Sequence, residues 1–339
     1  VERAATHSQL LEEWPYLVNQ ERVRLFRALP PGEDDQFFLD LKAREQAELV
    51  QALPVNERRL WIRLLPPDDA ADLLQEADPA LRDELTQLID NNTRVEVRAL
   101  LAYQEDEAGG LMSPRFARVR QDMTVDEAIA YLRRQTESVE TIYYVYVLDD
   151  HQHLLGVVSF RDLFSADRHK TVTDLMRTSF NYVTPDMPQE RVAQMISQHG
   201  LLALPVVDKD HIMRGIVTVD DIVNVVEEEA SEDIQKMGGM EALDQPYLEV
   251  GFWSLVRKRA GWLAILFVGE MLTATALGFF EDEIAKAVVL SLFLPLIISS
   301  GGNSGSQAAR VVGRAMALGE SESRTGGALC GARFSPAAP

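Results

Sequence analysis

Between residues 110 and 230 the chain writes one pattern twice, and this internal repeat constrains the fold more than any other feature. Leu111-Met112-Ser113-Pro114, followed by Asp122-Met123-Thr124-Val125-Asp126-Glu127-Ala128, returns as Leu175-Met176-Arg177 followed by Asp186-Met187-Pro188-Gln189-Glu190-Arg191-Val192. Val145-Tyr146-Val147-Leu148-Asp149 with Gly156-Val157-Val158-Ser159-Phe160-Arg161-Asp162-Leu163 returns as Leu204-Pro205-Val206-Val207-Asp208 with Gly215-Ile216-Val217-Thr218-Val219-Asp220-Asp221-Ile222. Each half predicts helix, strand, strand, helix, hence two small α+β modules. Asp149-Asp150 and Asp208-Lys209-Asp210 supply the turns of two hairpins.

The second repeat runs into Asp220 to Asp233, which packs seven acids into fourteen residues without a base. Its apolar residues Ile222, Val223, Val225, Val226 and Ile234 predict a helix leaving a strand. At about 100° per residue, Asp221, Asn224, Glu228 and Glu232 fall within an arc of about 80°, with Glu229 at its border. Two unit charges about 6 Å apart repel by roughly 0.7 kcal/mol in water and roughly 3 kcal/mol at an effective dielectric near 20. Left in solvent the stripe is therefore cheap, whereas pressed against a second acidic surface it needs a cation. Oxygen donors without His or Cys suit Mg²⁺ or Ca²⁺ rather than zinc. Asp68, Asp69 and Asp72, just after Pro66-Pro67, offer such a second surface. Both groups also fit the plainer role of acids at helix N-termini, facing solvent.

Residues 1–108 read as an all-α acidic domain, its short helices punctuated at Leu29-Pro30, Leu53-Pro54, Leu65-Pro66-Pro67 and Asp78-Pro79, as in a small superhelical stack. The formal charge of −20 excludes a nucleic-acid partner. The single cysteine, Cys330, excludes a disulfide framework and a thiolate zinc site. No phosphate loop, Ser-His-Asp arrangement or zinc spacing is present, which argues against an enzyme. The start has no basic segment leading into an apolar core, so the amino end is expected to stay in the cytoplasm.

Beyond the repeats the character changes. An amphipathic segment, Leu248 to Arg259, ends in Arg257-Lys258-Arg259 and leads into Trp262 to Phe280, a predicted membrane span running outward. Glu281-Asp282-Glu283 is the expected outer turn, and Ile284 to Ser300 a second span returning towards Arg310 and Arg314. Within and after that run stand Pro295, Gly301, Gly302, Asn303, Gly305 and Gln307, read as a loosened helix lining a wet path or as a close-packing face. Glu270 is ionisable within the first span and so a functional candidate.

The two modules resemble a tandem pair of CBS domains, through Gly156 to Leu163 and Gly215 to Ile222. That resemblance implies an adenine nucleotide such as ATP, with Asp162 accepting from ribose hydroxyls, Ser159 near phosphate, and Tyr144 and Arg161 as stacking and phosphate contacts; a dimerising scaffold is the alternative role. The order of parts, with Glu107-Ala108-Gly109-Gly110-Leu111-Met112-Ser113-Pro114 and the Gly-Gly-Asn-x-Gly-x-Gln stretch, resembles MgtE-type magnesium channels over residues 1 to about 320. It implies a homodimer in the inner membrane, multi-pass and with a cytosolic amino end, whose cytosolic domains bind Mg²⁺ and close the pore when that ion is abundant. Carried over by motif, the sensing positions are Asp221, Glu229, Glu232, Asp233 and Glu190. Asn224, Pro188 and Gly200 stand where the family can have acids. The implied organisation is an N-domain at 1–108, repeats at 109–172 and 173–235, a connecting helix at 236–260, two spans at 261–318 and an atypical tail at 319–339. The family has five spans, so the chain reads as truncated and not conducting alone. A membrane-tethered regulator sensing adenine nucleotides is the alternative function.

Overall fold

The computed structural model describes residues 7–136, 138–238, 241, 243, 250–286 and 293–317. It divides into two compact units, Val1–Val226 and Glu227–Pro339.

The first unit opens with eight short helices: α1 (His7–Glu13), α2 (Asn19–Phe26), α3 (Glu33–Asp40), α4 (Ala43–Ala52), α5 (Val55–Leu64), α6 (Pro67–Glu76), α7 (Arg82–Leu88) and α8 (Asn91–Leu100). They stack in two rows, α2 on α4 on α6 on α8 and α1 on α3 on α5 on α7. This is the superhelical stack that the proline spacing predicts. Pro54 and Pro66 cap α5 and α6, and Pro67 occupies the first turn of α6, where its missing N–H is not needed. Pro30 and Pro79 act differently from expectation: each lies a few residues upstream, and α3 starts after Gly32 at φ 93°. Edge-to-face rings knit the first rows together, with Trp14 4.9 Å from Phe37 and Phe26 4.7 Å from Trp61. Arg22 is buried here because it is satisfied, donating to the Trp14 carbonyl at 3.1 Å and pairing with Glu48 at 2.5 Å.

The short α9 (Ala108–Leu111) leads into the repeats. The first contains β1 (Arg118–Arg120), α10 (Val125–Gln135), β2 (Tyr144–Leu148), β3 (Leu154–Ser159) and α11 (Phe160–Ser165). The second contains α12 (Val172–Leu175), α13 (Gln189–His199), β4 (Ala203–Val207), β5 (Met213–Thr218) and α14 (Val219–Met237), the last running past the boundary between the units. β1 lies parallel to β2 and β2 antiparallel to β3, while β4 and β5 form the matching antiparallel hairpin. Asp149 and Asp208 tie the hairpin turns as the sequence predicts, accepting from the backbone of His151 and His153, and of Asp210 and Ile212, at 2.8–3.0 Å.

Each repeat lends its first segment to the other. Ser113 exchanges backbone hydrogen bonds with Ile216 of β5 at 2.8 and 2.9 Å, and Arg177 does the same with Val157 of β3 at 3.0 Å. Gly156 and Gly215 allow this close approach, since a Cβ on Gly215 would stand 2.6 Å from the Ser113 carbonyl oxygen and one on Gly156 3.0 Å from that of Arg177. The first repeat has its own core around Val145, Val147, Val158 and Leu163. The second shares one with the helical stack: Val192, Ile196, Leu204 and Ile222 belong to the same buried cluster as Leu73, Leu85 and Val97. Backbone bonds from Ala108 to Met187 and from Gln189 to Asp106 stitch the same junction at 2.8 and 2.9 Å.

In the second unit α15 spans Phe252–Phe279, followed by α16 (Glu281–Lys286) and α17 (Leu294–Ala317). Residues 252–260, at the end of the expected connecting segment, are the opening turns of α15. Among the described residues α15 alone is long and apolar enough to cross a membrane; the second expected span, Ile284 to Ser300, lies partly outside the described residues. α17 is not loosened at its motif: Pro295 falls in the first turn, and Gly301, Gly302, Asn303, Gly305 and Gln307 continue the helix, exposed. The expected tail, 319–339, and part of the expected connecting segment lie outside the described residues.

Candidate functional site: an acidic junction and a cleft

Three chain segments of the first unit bring carboxylates to the junction of the helical stack and the repeats. Because α6 starts at Pro67, Asp68 and Asp69 lie in its first turn and Asp72 one turn further on. Because β5 passes directly into α14, Asp220 and Asp221 open that helix. Thr218, at the end of β5, fixes Asp221 by donating from Oγ1 at 2.6 Å and from its backbone N–H at 3.2 Å. Glu140 comes from the loop before β2; it lies at the exposed rim, but its carboxyl accepts from the fully buried Ser113 hydroxyl at 3.3 Å.

The electrostatics of this cluster are one-signed. Burial, followed by the negative fields of Asp69, Asp68, Asp221 and Glu105, pushes the Asp72 carboxyl up to about 8. Burial and then Glu140 and Asp69 push Asp68 up to about 7. Glu140 rises to about 7 through burial, Asp221, Asp69 and Asp220. Asp221 also reaches about 7, raised by burial, Asp68 and Asp220 against the opposing hydrogen bonds from Thr218. Asp69 is raised by burial and by Asp220. Among the described residues, every charge leading these shifts is an acid. Asp68 moreover keeps one carboxyl oxygen, Oδ1, buried without a hydrogen-bond partner. A cluster of crowded carboxylates around one buried acid can be relieved by protons or by a hard cation. Among the described residues no three Asp, Glu, His or Cys side chains converge tightly enough to hold a metal ion.

The repeat shows how the cluster arose. At the position equivalent to Asp221 stands Asp162, and there the partner segment supplies Arg177, 3.4 Å away. Opposite Asp221 the corresponding residue is Ser113, so the acid is left to face Asp68.

The sequence-derived acids separate into groups. Asp68, Asp72 and Asp221 come together. Glu190, in the first turn of α13, is exposed and does not figure among the charges acting on them. Glu229, Glu232 and Asp233 belong to the second unit, where they act on Lys236: Glu232 pairs with it at 2.5 Å, and Glu229 and Asp233 add to the raising of its pKa. A base thus ends the acidic run three residues past Asp233. Glu140 and Asp220 are members that sequence reasoning missed. Glu140 sits in a loop without periodicity, and Asp220 reads as an ordinary first-turn acid.

A cleft of about 700 Å³ lies between the repeats, lined by Tyr144, Ser159, Arg161 and Asp162 together with Arg177 and Phe180. Ser159 caps α11, its hydroxyl accepting from the Asp162 N–H at 3.0 Å, because a strand that turns straight into a helix needs a cap there.

The fold and its two sites define a protein with an acidic helical domain docked on a CBS pair and followed by an apolar helix of membrane-spanning length. The MgtE intracellular N domain matches residues 3–106, and the CBS domain matches 108–169 and 172–228. The magnesium transporter MgtE of Thermus thermophilus is 40% identical over 311 residues, 91% of this chain and 69% of that protein. The magnesium transporter MgtE of Enterococcus faecalis is 35% identical, over 85% of this chain and 71% of that protein. The crystal structure of the cytosolic domain of the Mg²⁺ channel MgtE in complex with ATP superimposes with a TM-score of 0.61 at 41% identity, covering 65% of this chain and 90% of that one. The chain belongs to the MgtE family of magnesium transporters.

Proposed function

We propose that the chain is a subunit of a Mg²⁺ channel whose cytosolic part senses the transported ion at the acidic junction. The observation that carries this reading is the convergence of Asp68, Asp72, Glu140 and Asp221 from three segments, each raised to about 7 or 8 by burial and by neighbouring acids. Bound Mg²⁺ supplies the missing positive charge. Asp68 and Asp72 hold it from the helical stack, Asp221 and Glu140 from the repeats, and Asp69 and Asp220 add to the field. With the ion scarce, the same carboxylates repel across the junction, which is the bistable arrangement a millimolar ion can bias. α14 starts at the junction and continues through Glu229, Glu232 and Asp233, so it carries the state of the junction onward. Closure at high Mg²⁺, a homodimeric assembly, residence in the cell membrane with the amino end in the cytoplasm, and a pore-lining role for α17 with its Pro295 to Gln307 motif are parts of this proposal.

Adenine-nucleotide binding in the cleft is the second reading. The 700 Å³ volume and the grouping of Tyr144, Arg161 and Asp162 favour it, and the ATP in the related cytosolic domain supports it. ATP would meet Asp162 at its ribose, Arg161 and Arg177 at its phosphates and the aromatic rings at its base.

The transport proposal is tested by Mg²⁺ flux through proteoliposomes carrying the chain joined to the part of the Thermus thermophilus relative that the match leaves uncovered. Flux is expected to fall as Mg²⁺ rises on the cytosolic face, and Asp221→Ala is expected to keep that hybrid conducting at concentrations that close the unmodified one. No flux at any Mg²⁺ concentration would remove the channel reading.

A further inference from the structure

α15 opens with three bases in a chain that is otherwise acidic. Lys and Arg number 33 against 53 Asp and Glu, yet Arg257, Lys258 and Arg259 stand in succession, and no acid follows on the helix until Glu270. Arg257 and Arg259 are exposed, and among the described residues neither guanidinium has a hydrogen bond or an ion pair. At about 100° per residue the three bases span about 200° of the helix circumference. A folded partner lying along one face of the helix would miss one of them, whereas a fluid of small anions around the helix reaches all three.

The aromatic residues on either side of the triplet say where that fluid lies. Phe252 and Trp253, about one turn before Arg257, are 70% and 80% exposed, with their rings edge-to-face at 5.5 Å. Trp262, three residues after Arg259, is half exposed. Tryptophan is the residue of the boundary between headgroups and hydrocarbon. Beyond Trp262 the exposed side chains Leu263, Ile265, Leu266 and Phe267 offer the surface that acyl chains cover. Arg259 is about 5 Å along the helix from Trp262, on the side away from this apolar run, so the bases stand at the level of lipid phosphate. A zwitterionic headgroup brings its own ammonium to that level. An anionic one brings an uncompensated negative charge, which complements two guanidiniums that no acid of the described chain meets.

We propose that Arg257, Lys258 and Arg259 bind the phosphates of anionic phospholipids, so that α15 enters the bilayer through a collar of acidic lipid. The proposal rests on the membrane reading of α15. Tryptophan quenching by brominated lipid, with the full chain in phosphatidylcholine vesicles, tests it. Of the four tryptophans Trp14 and Trp61 are buried in the helical stack, so quenching reports Trp253 and Trp262. At about a tenth of the lipid, brominated phosphatidylglycerol is expected to be enriched about two- to fivefold beside them over brominated phosphatidylcholine. An Arg257→Gln, Arg259→Gln variant is expected to lose that excess while brominated phosphatidylcholine still quenches it, which shows α15 still inserted. Lys286→Gln, which removes a base already paired with Glu283, is expected to keep the excess. Equal quenching by the two lipids, an excess that survives in the double variant, or one that millimolar inorganic phosphate abolishes overturns the proposal. No quenching of the unmodified chain by either lipid overturns the membrane reading of α15 and the lipid collar with it.

Discussion

At the scale of single residues the acidic junction makes a prediction opposite to that for most carboxylates. Asp72 titrates near 8 in the folded chain, above the value of about 4 it has when unfolded, so the folded state holds more protons between those limits. Its contribution to stability is fully present below about pH 4 and is lost as pH rises through about 8; Asp68, Glu140 and Asp221 follow the same course through about 7. Melting of the Mg²⁺-free protein is therefore expected to shift to lower temperature between about pH 4 and about pH 8, the window these groups define. Millimolar Mg²⁺ should restore more stability at pH 8 than at pH 6, because at the lower pH protons already neutralise the site. A melting temperature that is flat or rising over that range contradicts the raised values. Asp72→Asn removes the charge but keeps the shape, and it is expected to stabilise the Mg²⁺-free protein by about 1–3 kcal/mol at pH 8 while reducing the response to Mg²⁺. Denaturant titration with and without the ion measures both effects.

At the scale of elements the exchanged first segments are the device that positions the site. Ser113 is pinned to β5 by two backbone bonds and donates its hydroxyl to Glu140, so a disturbance of β5 reaches the acids directly. Gly215→Ala places a Cβ 2.6 Å from the Ser113 carbonyl oxygen, whereas Gly156→Ala meets that of Arg177 at 3.0 Å. The first substitution is expected to cost about 1–3 kcal/mol and the second less, and only the first should blunt the Mg²⁺ response. Equilibrium unfolding of the two variants decides this. These elements were legible in the sequence because they are periodic and doubled: both hairpins and their Asp149 and Asp208 turns follow from a pattern written twice, while the choice of Tyr144, Ser159, Arg161 and Asp162 came from the resemblance to CBS domains. The exchange itself was not legible, since Leu111-Met112-Ser113 and Leu175-Met176-Arg177 read alike whether they pack on their own repeat or on the other. Glu140 escaped for a related reason. A loop residue has no periodicity, and only the fold brings it to Ser113.

At the scale of the whole molecule, helix periodicity located the acidic stripe on α14 but could not divide it. Asp221 meets acids of the helical stack, while Glu232 meets Lys236, a base just outside the run that first drew attention. The central proposal is that an ion, rather than a side chain, completes the junction between helical stack and repeats. The most direct measurement is thermal melting of the full chain in lipid nanodiscs during Mg²⁺ titration, compared with an Asp68→Asn, Asp72→Asn, Asp221→Asn variant. A site that binds only the folded state adds roughly 2.7 kcal/mol at a hundredfold excess over its dissociation constant. The proposal predicts a Mg²⁺-dependent rise in melting temperature for the unmodified chain and a variant that starts higher and barely responds. Equal responses from both, or none from either, contradict it.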